Sequence, residues 1–133
     1  MAKIRTLIVS AAIAVACVSL AYAQDLGSKN RKELKRADLT GTKMEVILSV
    51  TEYQPGETIA RHVHHGEEAF YVVDGATVET PAGKKIELAA GTGSINMREV
   101  PHAGFKVVGD KPLKLVTVHI VDKGSTLYDA PPK

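Results

Sequence analysis

From Met44 onward the chain is a succession of short apolar runs, each closed by a turn residue, and no segment sustains the apolar period of a helix. Met44, Val46, Leu48 and Val50 alternate with Glu45, Ser49 and Thr51 before Pro55-Gly56. Runs at residues 69–73, 77–80 and 85–88 are followed by Asp74-Gly75, Pro81-Ala82-Gly83 and Gly91-Thr92-Gly93, and two more runs occupy 105–108 and 113–121. Period-two alternation indicates strands, and Asp74-Gly75 and Gly109-Asp110 are residues that tight turns demand. Many short strands with Gly and Pro turns predict an all-β fold, a sandwich or a barrel.

Residues 1–23 break the pattern. Lys3 and Arg5 precede an apolar run of 14 residues from Leu7 to Leu20, interrupted only by Ser10 and Ser19, and Ala21-Tyr22-Ala23 stands before Gln24. Positive, apolar and small-x-small segments in that order form a cleavable signal peptide, with cleavage after Ala23. The run is short of the roughly 20 residues that a bilayer-spanning helix needs. Cys17 lies inside it, with Val18, Ser19 and Leu20 still to come, which does not suit a lipid-modified cysteine. The expected location is periplasmic or secreted, with no membrane attachment after cleavage.

The whole-chain net charge of +2 mixes leader and domain. Removing 23 of the 133 residues leaves 110, with 15 basic and 15 acidic side chains and no cysteine. Basicity therefore gives no argument for a nucleic-acid partner, and the absence of cysteine avoids mispairing in an oxidising compartment. A domain of this size buries only about two-thirds of its unfolded surface, so a closed sheet or a homodimer interface is expected. Residues 24–40 are polar, with Lys29, Arg31, Lys32, Lys35 and Arg36 around Glu33, and read as a solvated N-terminal arm before a domain at 41–133.

The segment Arg61-His62-Val63-His64-His65-Gly66-Glu67-Glu68 holds three of the five histidines. On an extended chain His62 and His64 share a face. A short turn through Gly66 then brings Glu68 back, so two imidazoles and a carboxylate converge as in a facial triad with open coordination positions. His65 and Glu67 are out of phase and are expected to point away.

These residues resemble the cupin superfamily. Gly56, His62, His64, Glu68 and Gly75 match its first motif at every fixed position and spacing, and 15 residues separate it from the second motif. In the second, Gly91 and His102 match, whereas Met97 replaces a proline, Glu99 a glycine and Lys106 an asparagine. The resemblance implies a cupin jelly-roll β-barrel, the double-stranded β-helix, with His62, His64, Glu68 and His102 as metal ligands. Residues 115–124 also look like a recurring tail of secreted bacterial cupins.

A divalent transition metal, Fe, Mn, Ni, Cu or Zn, suits this donor set without being chosen by it. Two functions follow from the resemblance. One is a dioxygenase-type oxidoreductase acting on a small molecule, in which Glu68 also accepts a proton. The other is a non-catalytic cupin that binds a metal and a small ligand. A metal-independent epimerase or isomerase fits less well, because all four ligand positions are filled. His119, alternating with Leu113, Leu115 and Thr117, reads as a hydrogen-bonded strand histidine outside the site.

Overall fold

The computed structural model describes residues 26–133, so the signal peptide expected over 1–23 lies outside the described residues. The strands in chain order are β1 (Lys32–Asp38), β2 (Met44–Tyr53), β3 (Thr58–Ile59), β4 (Gly66–Asp74), β5 (Ala76–Glu79), β6 (Lys85–Leu88), β7 (Gly93–Asn96), β8 (Phe105–Val108) and β9 (Leu113–Asp122). They form one sheet ordered β1-β2-β9-β4-β7 and a second ordered β3-β8-β5-β6, with every pairing antiparallel. This is the double-sheet jelly roll expected from the sequence. Between the sheets lie Tyr53, Ile59, Val72, Ala76, Val78, Val107 and Leu113. Each large apolar side chain buried there contributes about 1.5–3 kcal/mol.

The inward faces of β2 and β9 are less apolar than their outward faces. On β2 the buried set is Glu45, Ile47, Ser49, Thr51 and Tyr53, while Met44, Val46, Leu48 and Val50 are only half-buried on the other side. On β9 Thr117, His119 and Val121 are buried, and Val116, Val118 and Ile120 face outward. His119 sits inside with the histidine and carboxylate cluster described below, whereas Glu45 and Ser49 are met by Arg36 and Arg31 of the N-terminal segment.

The polar arm is in part a strand. Residues 32–38 form β1, whose side chains are exposed throughout but whose backbone pairs with β2 from Lys32↔Val50 to Asp38↔Glu45. Charge holds it there as well as the ladder: Arg36 Nη1 donates to the buried Glu45 carboxylate at 2.6 Å, and Arg31 Nη2 donates to Ser49 Oγ at 2.7 Å. A charged edge strand also resists pairing with a foreign strand.

Gly66 is not in a turn. It opens β4, opposite Val121, and a Cβ placed there would lie 2.0 Å from the Ile120 carbonyl oxygen and 2.6 Å from Val121 Cα. Glycine is needed for close backbone approach. Lys106 is exposed on β8 between Phe105, which lines the cavity, and the buried Val107, so it points away from the site.

Candidate metal centre

His62 and His102 are joined by the backbone. Each N–H donates to the other's carbonyl, at 3.1 and 3.0 Å, and their ring centroids lie 4.4 Å apart. Val63 and Asp129 make the same reciprocal exchange, at 2.9 and 3.2 Å, which draws the C-terminal tail across the cluster. Glu68 is supplied by β4, and Asn96 of β7 lies beside it in register.

The three histidines share one orientation. His62 Nδ1 lies 2.7 Å from Ala60 O, His64 Nδ1 2.5 Å from Leu127 O and His102 Nδ1 2.9 Å from Val100 O. A carbonyl oxygen only accepts, so each Nδ1 carries the proton and donates. In the neutral rings every Nε2 is then an unprotonated donor atom for a metal. His64 Nε2 is 3.1 Å from His102 Nε2, and Glu68 Oε2 is 3.2 Å and 3.4 Å from those two nitrogens. Lone pairs set against one another at that distance are relieved only by a shared proton or a metal ion. Donors about 2.1 Å from one metal, at roughly 90–110° to each other, lie about 3.0–3.4 Å apart. The observed triangle therefore fits a metal, and the ligand atoms of His62, His64, Glu68 and His102 all fall within 4.8 Å of one another.

Electrostatics agree. Burial opposes charge on Glu68, but hydrogen bonds that it accepts from His102 and His64 when a proton occupies their Nε2 positions outweigh it and hold the carboxyl well below the usual carboxylate range. Asn96 Nδ2 also donates to Oε2, at 2.7 Å. Burial lowers the pKa of His62 to about 4, which keeps it neutral and able to ligate. His102 is also pushed down by burial, yet the hydrogen bond that a proton on its Nε2 makes with Glu68 raises it above the ordinary value overall, so at this ligand position a proton competes with a metal.

The second motif's departures are accommodated without losing His102. Glu99, where a glycine is expected, has a left-handed φ of 58°, and Ala103, just after the ligand, has φ of 61°. The glycine of the pattern thus answers a conformational need that Glu99 meets under strain. Its carboxylate lies 2.6 Å from His65 Nδ1, whose Nε2 lies 2.8 Å from Asp129 Oδ2. His65 points away from the metal ligands, as expected, and links the His102 loop to the tail.

His119 departs from its sequence reading. It is fully buried and faces Glu68 across the β4–β9 pairing, with Nε2 3.4 Å from Glu68 Oε1. Neither ring nitrogen makes a hydrogen bond, so it is not the satisfied strand histidine expected. Burial drives its pKa to about 4 despite the neighbouring Glu68 charge.

The cluster forms one end of a cavity of about 210 Å³, walled largely by Ile59, Phe70, Leu88, Phe105, Leu113 and Leu115. Ser94 and Asn96 add polar points, and Tyr53, Ala103 and Tyr128 complete the lining. The Tyr128 ring packs edge-on to His62 and His64, at 5.1 and 5.2 Å.

The family model for the cupin domain matches residues 49–119, more than half of the chain. Among solved structures, an uncharacterized conserved protein with a double-stranded β-helix domain from Klebsiella pneumoniae subsp. pneumoniae is 22% identical, with a TM-score of 0.54, covering 75% of this chain and 84% of that one. The polyketide cyclase RemF from Streptomyces resistomycificus is 22% identical with a TM-score of 0.52, covering 80% of this chain and 76% of that one. At these identities the likeness is one of fold. No curated protein matches the sequence. With the family's first motif intact and its ligand positions gathered at one end of a jelly-roll barrel, the chain belongs to the cupin domain family.

Proposed function

We propose that this is a small periplasmic or secreted metal-dependent oxidoreductase of the dioxygenase type, acting on a small organic molecule with an apolar body. The observation that carries the reading is the shared tautomer of His62, His64 and His102, which aims unprotonated nitrogens at Glu68 Oε2 on the floor of an apolar cavity. A divalent transition metal, Fe, Mn, Ni, Cu or Zn, held by these four residues supplies a Lewis-acid centre with one or two positions for substrate or dioxygen. The walls are largely apolar and admit only a small ligand, since about 210 Å³ is below the usual range for drug-sized pockets. Glu68 serves as a ligand. Its Oε2 also accepts from Asn96 Nδ2, and a shift of the carboxylate within the site would let it take a proton from bound substrate.

One observation favours a second reading, a cupin that binds metal and ligand without turnover. Among the described residues, the ionisable groups lining the cavity besides the ligands are Tyr53 and Tyr128, and burial keeps the Tyr53 hydroxyl protonated. Dioxygen consumption with product formation supports the first reading, and ligand binding with no product supports the second. Elemental analysis tests what both share. About one metal per chain is expected, lost in His62→Ala, and metal far below one per chain after exposure to each candidate ion overturns both.

A homodimer is part of the proposal. The outward face of the larger sheet carries Val46, Leu48, Val50, Val116, Val118 and Ile120, continued by Tyr71 and Ile95 at 52% and 61% exposure. An apolar sheet face of this kind suits a second copy related by a two-fold axis.

A further inference from the structure

The carboxylate of Glu68 has two differently served oxygens. Oε2 receives Asn96 Nδ2 at 2.7 Å and faces His64 and His102 at 3.2 and 3.4 Å, whereas Oε1 faces His119 Nε2 at 3.4 Å. His119 is on β9, directly opposite Glu68, as Asn96 is on β7, so the three side chains form one row across the sheet. The ring has no exposed surface, and its edge packs against His64 at 4.7 Å and Tyr128 at 5.9 Å. Neither of its nitrogens makes a hydrogen bond. A buried imidazole left that way is destabilising, because no partner offsets the loss of its hydration. A closure of a few tenths of an ångström turns the 3.4 Å approach into a hydrogen bond.

We infer that His119 is a positioning residue for the metal centre, donating from Nε2 to Glu68 Oε1 and so leaving Oε2 as the oxygen turned toward His64 and His102. The inference rests on the metal reading above and extends it beyond the four ligands. A carboxylate clamped from Asn96 on one side and His119 on the other cannot rotate to offer both oxygens equally. The centre then keeps a coordination position that a bidentate Glu68 would fill.

The test uses Co(II) as the probe, with affinity read by chelator competition and geometry by the visible d–d absorption. His119→Leu removes the donor at similar volume, and His119→Gln restores an N–H at comparable reach. His119→Leu is expected to weaken Co(II) binding about 10- to 100-fold and to shift the absorption bands, and His119→Gln to bind within about threefold of wild type with its spectrum. A purely structural role predicts a lower thermal midpoint with unchanged bands, or equal defects in Leu and Gln, and either result overturns the inference. Wild-type affinity and spectrum in His119→Leu overturn it too, while leaving the metal reading intact. A wild-type protein that binds no Co(II) overturns both.

Discussion

His64 Nδ1 lies 2.5 Å from the carbonyl oxygen of Leu127, 63 positions along the chain. The orientation of a candidate metal ligand in the middle of the sequence is thus set by the C-terminal tail. Deleting residues 127–133 removes that acceptor together with Tyr128 and the Val63–Asp129 exchange. The shortened protein is expected to fold, because the core between the sheets is untouched, and to bind Ni(II) about 10- to 100-fold more weakly. Calorimetric titration checks this, and unchanged affinity would count against the tail as an outer support.

Metal addition should stabilise the fold by mass action. At about one hundred times its dissociation constant a metal contributes about 2.7 kcal/mol, equivalent to an increase of at least about 10 °C in Tm for a domain near 100 residues. Thermal scans with and without Ni(II) should show that shift in wild type, a much smaller one in His62→Ala, and a reduced one at pH 5, where a proton on His102, raised above its ordinary value, competes with the metal.

Replacing Glu99 separates backbone strain from a surface charge pair. Glu99→Gly relieves the left-handed φ of 58°, a gain of about 1 kcal/mol. It also removes the hydrogen bond that is the main reason His65 is raised above its ordinary 6.5. A raised histidine contributes stability that is full below pH 6.5 and lost as pH rises through its folded value. The variant should therefore gain most at pH 8 and less at pH 5.5. Urea unfolding at the two values decides it, and a larger gain at pH 5.5 contradicts the assignment.

Gly66→Ala places a methyl against backbone rather than a side chain, with the Ile120 oxygen 2.0 Å away. Strands β4 and β9 must part, so a loss of about 2 kcal/mol or more is expected. Because Glu68 is two residues on, metal affinity should fall with it. A urea midpoint within experimental error of wild type would show that the strands are not in this register.

Ile95→Glu and Tyr71→Glu put charge on the exposed apolar face without touching the core. Sedimentation should show wild-type dimers becoming monomers, with thermal unfolding of the monomer little changed. A wild-type protein that sediments as a monomer at high concentration overturns the dimer.

Spacing alone brought His62, His64 and Glu68 together, because a period of two is local geometry and the chain does bend between them, at His65 and not at the Gly66 that opens β4. His102 stands 34 residues from Glu68, and only the resemblance to a family pattern reached it. His119 was within view as a residue in phase with Thr117, but alternation says which residues share a face and not which face is inside. On β9 the more apolar set, Val116, Val118 and Ile120, is the outer one, so hydrophobicity points the wrong way. The signal that finds His119 is its register opposite Glu68, which exists only once the strands are paired. β1 was hidden for a related reason, since an edge strand with exposed side chains needs no apolar alternation.

The centre's contacts join distant stretches of the chain: His62 to His102, His64 to Leu127 and Glu68 to His119. Strand β9 must insert between β2 and β4 before Glu68 and His119 meet, and such long-range pairing is slow to form. Until then the chain offers little beyond the adjacent His62 and His64, a weak and unselective pair. A site built from His62, His64, Glu68 and His102 is therefore complete only once the barrel has closed, after the slow long-range pairing and not before it.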